Sequence, residues 1–179
     1  MIFAAIVMMA GFTTTVVAQT SASETTNAGA QLIVPMTLTQ NSSLHFGNIT
    51  LLDATVAGTV TLSTANARTF TGGVSLETGA GSPSSSNATY AVTGTYNETY
   101  ALSLPTTITV KETESTETMT ISDLQVLFND GAEETGVGAT STLSATGTDD
   151  FIVGGTLAVA IAQIGGIYAG TFDVSVDYN

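Results

Sequence analysis

Hydrophobic and polar residues alternate along most of this chain, and the alternation runs longest at the C-terminal end. Across residues 165–178, Tyr168, Phe172, Val174, Val176 and Tyr178 fall on one parity, and Ile167, Ala169, Thr171, Asp173, Ser175 and Asp177 on the other. Side chains alternate across a strand, so this run has one apolar face and one mostly polar face. On a helix the same residues would scatter around the circumference, and their β-branched and aromatic content suits a strand. The spacing predicts a long, half-buried C-terminal strand that needs partner strands and a second layer over its apolar face.

The same period recurs upstream. Leu32, Val34, Met36 and Leu38 share a parity, and Pro35, which cannot donate to a ladder, puts their strand at a sheet edge or a bulge. Leu44 and Phe46 are expected inward, with His45 facing solvent or a sheet rim. Further short strands are predicted at Gly58–Leu62, Ala88–Gly94 and Tyr100–Leu104, Ile108 and Val110 alternate with threonines, and Phe151–Val159 leads through Gln163–Gly165 to the final strand. Met119 and Ile121 occupy one parity and Leu124, Val126 and Phe128 the other, so a bulge is expected at Asp123. Ala65–Gly73 reads as turn-rich, and Asn129–Gly138 as a long polar loop. Many short alternating segments between Gly, Ser, Asn and Pro punctuation predict one all-β domain, an antiparallel β-sandwich over residues 31–179.

The first thirty residues differ. Ile2–Val17 is an apolar run, and Val16-Val17-Ala18-Gln19 has the small and β-branched residues of a signal-peptidase site. Residues 1–18 are expected to be a secretory signal peptide cleaved after Ala18. The usual Lys or Arg ahead of such a run is missing, which leaves room for a start upstream of Met1. A retained N-terminal helix, as in type IV-like pilins, is the alternative, although the run is short for a membrane span. Residues 19–30 are small, polar and unpatterned and read as a flexible extension.

Composition narrows the function. The net charge is −13 with Arg68 and Lys111 the two strong cations, so the chain lacks the cationic footprint that nucleic acid or anionic lipid requires. There are no cysteines, hence no disulfide, no thiolate metal site and no lipobox anchor. His45 is the single histidine, which makes a weak zinc argument, and no Gly-x-Ser-x-Gly elbow accompanies it. Glu133-Glu134, Asp149-Asp150 and Asp130 read as solvated loop charge rather than a calcium loop. Gly72-Gly73 and Gly154-Gly155 precede no helix and read as bulges or bends, not phosphate loops. Four N-glycosylation sequons, starting at Asn41, Asn48, Asn87 and Asn97, arise easily in so Ser- and Thr-rich a chain, and no modification is assigned. No catalytic, cofactor-binding or metal residue is assigned, and an enzyme is not expected.

Several blocks together resemble an exported bacterial family, domain of unknown function 4402. They are Leu44-His45-Phe46-Gly47-Asn48-Ile49, Gly58–Leu62, Ala67–Val74, Tyr90–Gly94, Thr118–Ile121, Val153–Leu157 and Gly166–Phe172 with its continuation. The resemblance implies an immunoglobulin-like sandwich on an exported protein and brings no established activity. The N-terminal half is also similar to spore coat U and archaic chaperone–usher pilins, whose subunits carry an apolar N-terminal strand and then Leu-x-Phe-Gly, here Leu44-His45-Phe46-Gly47. Those subunits usually carry a disulfide, which this chain cannot form.

The expectation is therefore a structural, pilin-like subunit of an extracellular filament or surface layer. Its N-terminal segment, with Leu32, Val34, Met36 and Leu38 as inserting side chains, would add a strand to a neighbouring copy. Phe172, Val174 and Val176 would wall the acceptor groove. Copies of itself are the expected partners, with a periplasmic chaperone and an outer-membrane usher implied by the pilin resemblance. The alternative is a monomeric surface or periplasmic adhesin-like binding module whose N-terminal strand stays in its own sheet.

Overall fold

The structure, a computed structural model, describes residues 21–77, 79, 84–129, 131 and 133–179. The expected signal peptide lies outside the described residues. The chain divides into a unit ending at Leu32 and a compact unit spanning Ile33–Asn179. In the first, residues 21–32 carry no strand or helix, and every one is exposed.

The compact unit contains fourteen strands among the described residues. They are β1 Thr37–Ser42, β2 Ile49–Leu51, β3 Gly58–Leu62, β4 Arg68–Gly72, β5 Val74–Leu76, β6 Ala88–Thr93, β7 Thr99–Ser103, β8 Ile108–Glu112, β9 Thr118–Phe128, β10 Glu133–Thr135, β11 Thr140–Thr142, β12 Thr148–Val159, β13 Tyr168–Ala169 and β14 Ser175–Tyr178. Every strand pair is antiparallel. The fold is all-β, as the alternation predicts.

The two longest strands, β9 and β12, pair with each other and form the spine of a large sheet ordered β1-β6-β12-β9-β8-β13. Each changes partner along its length. The first half of β12 pairs with β6 and its second half with β3, which in turn pairs with β4. On β9, residues 118–121 pair with β8 and 125–127 with β10. The change coincides with a bulge: Gly154 lies opposite Gln125 but Thr156 lies opposite Ser122, so Asp123 and Leu124 together face Gly155. Asp123 has the positive φ, 50°, of a residue inserted at such a kink. The bulge sits where the parity of the buried residues on β9 reverses. Gly154 makes the close approach possible, because a Cβ there would collide with the backbone oxygen of Leu62.

Facing this sheet are a three-stranded sheet, β11-β7-β14, and a two-stranded one, β2-β5. Side chains from all three sheets meet in one core, among them Val60, Tyr90, Val92, Val126, Phe128, Phe151 and Val153 from the large sheet, Tyr100 and Leu102 from β7, and Val74 from β5. Tyr90 stacks on Phe151 at 5.0 Å between ring centroids, and Phe128 meets Tyr100 edge-on at 6.2 Å. The outward parity is filled by threonine, whose hydroxyls pair across strands in Thr59–Thr71, Thr61–Thr156 and Thr37–Thr93.

Several local expectations need correction. The C-terminal run is not one strand. Tyr168–Ala169 pairs with β8 in the large sheet and Ser175–Tyr178 with β7 in the opposite layer. The chain crosses between layers at Gly170, where a Cβ would lie 2.5 Å from the Thr109 carbonyl oxygen, so only glycine lets it pass so close to β8. The predicted parity survives the crossing: Phe172, Val174, Val176 and Tyr178 are half-buried and the residues between them exposed. The N-terminal strand starts at Thr37, so Leu32, Val34 and Met36 lie outside it. Arg68–Gly72, read as turn, is an edge strand paired to β3, and part of the loop after Asn129 is β10.

Candidate functional site

Among the described residues no group of three or more His, Asp or Glu is placed to hold a metal ion. His45 is exposed, and its Nδ1 accepts from the Gly47 N–H at 2.9 Å within a tight local turn. Asp149 does not behave as loop charge. It is buried at the start of β12, where its Oδ2 accepts hydroxyl hydrogen bonds from Tyr100 at 2.8 Å and Ser141 at 2.7 Å. Asp149 therefore ties the large sheet to β7 and β11. Its parity with Phe151 and Val153 was the signal that it points inward. Glu133 is also engaged, accepting from the Thr64 hydroxyl at 2.8 Å.

The features that stand out are an open apolar groove and a tethered N-terminal segment. The backbone of Val34 is held near the start of β12, and the groove lies near its end. Thr148, at the start of β12, pairs with Thr93, and Gly94 bonds to Gly147 beside it. At this pole the N-terminal segment is clasped. The Val34 N–H donates to Thr95 Oγ1 at 2.6 Å, and the Val34 carbonyl accepts from the Tyr178 hydroxyl at 2.6 Å. The Tyr178 hydroxyl also accepts from the Thr95 N–H at 2.6 Å. Both backbone groups of Val34 are held, although its side chain is 51% exposed. Past the clasp, Met36 and Leu38 pack against the chain's own core, and Leu38 pairs with Val92. Ahead of it Ile33 is 57% and Leu32 87% exposed. The four N-terminal residues singled out from sequence thus split: Met36 and Leu38 are used in cis, Leu32 and Val34 are presented.

The groove lies at the other pole, near the end of β12. It has a volume of about 580 Å³. One wall is Leu44, Phe46, Ile49 and Leu51; the other is Val110, Met119, Ile121, Leu157 and Val159; Ile164, Ile167, Tyr168 and Phe172 complete the rim. It opens between the β2–β5 pair and the large sheet, where the second layer is interrupted. Among the described residues no strand pairs with the second edge of β2. Of the predicted groove wall, Phe172 lines this site, whereas Val174 and Val176 pack against the core elsewhere. A shallower depression of about 460 Å³ lies on the other side of Phe172, between Ser103–Pro105 and the Thr171–Ser175 stretch.

Polar contacts anchor two sides of the groove. Arg68 donates to the carbonyls of Phe46 at 2.9 Å, Asn48 at 3.3 Å and Glu77 at 3.3 Å, pinning the Leu44–Leu51 wall. Opposite, Gly166 lies against the Glu112 carboxylate, and the Thr113 N–H donates to the Ile167 carbonyl at 2.9 Å. Desolvation pushes the Glu112 carboxyl up, but hydrogen bonds from Ser115, Glu114 and Thr113 outweigh it and hold the group below its ordinary value. Outside the rim, Leu52, Val56 and Ile161 are exposed on loops that the Ala162 N–H to Ala54 carbonyl bond brings together. No sequence signal marked the core as open here, since Leu44, Phe46 and Met119 read as ordinary inward residues. Ile161, Ile164 and Ile167 in a glycine-containing loop were the available hint.

What the arrangement offers is an apolar slot beside an edge of β2 that no strand pairs among the described residues. No curated protein matches the chain. A family model matches residues 36–178, which takes in every described strand and the groove and begins after the exposed Leu32–Val34 segment, and the chain belongs to the family described as Domain of unknown function (DUF4402).

Proposed function

We propose that this protein is a structural, pilin-like subunit of an extracellular filament or surface assembly, joined head to tail by strand addition of its N-terminal segment. The observation that carries the reading is the polarity of the molecule. An exposed apolar segment leaves one pole and an open apolar groove lies at the other. A contact between two different surfaces of identical copies is heterologous, and when it does not close into a ring it propagates as a fibre. Strand addition supplies backbone hydrogen bonds for affinity and side-chain pockets for register. The two packed layers, one of them interrupted, are what an immunoglobulin-like sandwich lacking a strand would present. Copies of itself are the partners of the finished assembly, and a chaperone and usher would shield the apolar segment and groove before it forms.

The test is assembly state after Leu32→Asp with Val34→Asp. Both side chains are exposed, so the far-ultraviolet circular dichroism should match the parent. Light scattering should show concentration-dependent multimers for the parent and monomers for the variant. A parent that stays monomeric at every concentration contradicts the proposal. That outcome would favour the alternative, a monomeric adhesin-like module, whose supporting observation is the pairing of β1 with β6 of its own chain.

A further inference from the structure

We infer that the outer edge of β4 is a separate interaction surface, and that its partner is the same edge of a second copy of this chain, paired antiparallel about a two-fold axis at Phe70. The contact is distinct from the head-to-tail joint proposed above and does not depend on it.

The backbone carries the inference. Among the described residues β4 pairs along one edge only, with β3. In an antiparallel pair, opposed residues that exchange hydrogen bonds alternate with opposed residues that do not. The Ser63 N–H donates to the Ala67 carbonyl at one end of this hairpin, and the Gly73 N–H to the Ala57 carbonyl at the other. Both ends set the same alternation: Thr61–Thr69 and Thr59–Thr71 are bonded pairs, and Leu62–Arg68 and Val60–Phe70 are not. The N–H and C=O of Arg68 and Phe70 therefore point away from β3, along the open edge. Open edges are ordinarily guarded by a bulge, a proline, a charge or sheer shortness. Pro35 precedes β1, whose register shifts between Gln40 and Ser42, and β10 is three residues with two glutamates. β4 has no such guard, since its one charged side chain, Arg68, is turned onto the carbonyls of Phe46, Asn48 and Glu77.

The strand also suits its own copy. Around Phe70 it reads Thr-Phe-Thr in either direction. With the axis at Phe70, the two phenylalanines face each other and exchange two backbone hydrogen bonds, and Thr69 lies opposite Thr71 of the second copy. Phe70 is opposed to the buried Val60, on the core side of the sheet, yet is 47% exposed; an aromatic pair across the axis covers it. On the outer side the new threonine pairs continue the ladder begun by Thr59–Thr71. Residues 54–76 contain no acidic residue in a chain that has 15, so these hairpins meet without the repulsion that a net charge of −13 imposes elsewhere. Five residues a side are fewer than the roughly 20–30 of a stable interface, so the pair is transient between free subunits. In a repeating assembly the contact recurs, and its strength multiplies.

The test is disulfide trapping, which captures a transient pair and reads its register in a chain without cysteine. Full-length protein carrying Thr69→Cys is mixed with protein carrying Thr71→Cys under mild oxidation; both positions are exposed. In the proposed register these two sites have Cα atoms about 4.5 Å apart, within disulfide reach, whereas like sites lie about 8 Å apart, beyond it. The expected result is a band of doubled mass on a non-reducing gel from the mixture, lost on reduction and missing from either variant alone. Phe70→Asp in both partners sets like charges on the axis and should abolish the band. Repeating the mixture with Leu32→Asp and Val34→Asp in both partners keeps the outcome apart from the head-to-tail joint, and the band should persist. Equal bands from all three samples, a band unchanged by Phe70→Asp, or no band from the mixture would each overturn the inference while leaving the head-to-tail reading standing.

Discussion

Tyr178 shows how much a single hydroxyl organises. It links the C-terminal strand, the Thr95 backbone and the Val34 carbonyl. Tyr178→Phe keeps the ring but removes the partner of the Thr95 N–H and the shorter of the two hydrogen bonds to the Val34 carbonyl, which keeps the Thr95 hydroxyl at 3.4 Å. A loss of about 1 kcal/mol in urea unfolding is expected, with faster proteolysis in residues 31–36. Asp149 makes a stronger claim. Asp149→Ala removes the acceptor of two hydroxyls and leaves them in the core, and should cost about 3 kcal/mol; a variant within about 0.5 kcal/mol of the parent would contradict the assigned network. Glu112 predicts a pH effect. Its folded pKa is depressed below the ordinary value of 4.5, so its contribution is present above that value and is lost as pH falls through the folded pKa. Amide protection in the 113–117 turn, measured relative to the intrinsic exchange rate at each pH, should fall as the medium is acidified below that range, and Glu112→Gln should flatten that dependence.

At the scale of elements, the bulge shared by β9 and β12 directs the fold, because it lets each long strand serve two sets of partners. Asp123 adopts a left-handed conformation there. Asp123→Gly should be neutral or stabilising by about 0.5 kcal/mol, and Asp123→Val destabilising by about 1–2 kcal/mol, both measured by thermal or urea unfolding. This bulge was legible in the sequence, since the reversal of parity between Ile121 and Leu124 cannot be met by a regular strand. The strands β3, β6 and β7 were legible for the same reason, because alternation records packing directly. The C-terminal run was only half legible. Its parity told which side chains are inward, but the crossing at Gly170 depends on β8 lying 2.5 Å from a would-be Cβ, a tertiary fact. Likewise β4 looked like turn because its composition, Thr and Gly around Phe70, suits an exposed edge as well as a loop. Asp149 was misread because adjacent acids suggest solvent, although its parity with Phe151 argued for burial.

At the scale of the whole molecule, polarity is the property that composition could not supply. The apolar N-terminal segment was evident from Leu32, Val34, Met36 and Leu38, yet only the fold shows that half of it is spent on the chain's own core and half is presented. The groove arises from residues as far apart in sequence as Leu44 and Phe172. An exposed apolar segment and an open apolar groove on one chain are a liability for a solitary protein and a connector for a repeating one. The central claim is that copies join end to end. Electron microscopy of the purified protein and of surface material from the producing cell tests it most directly. The account predicts regular fibres built from this chain in both samples. Compact, separate particles in both would contradict it.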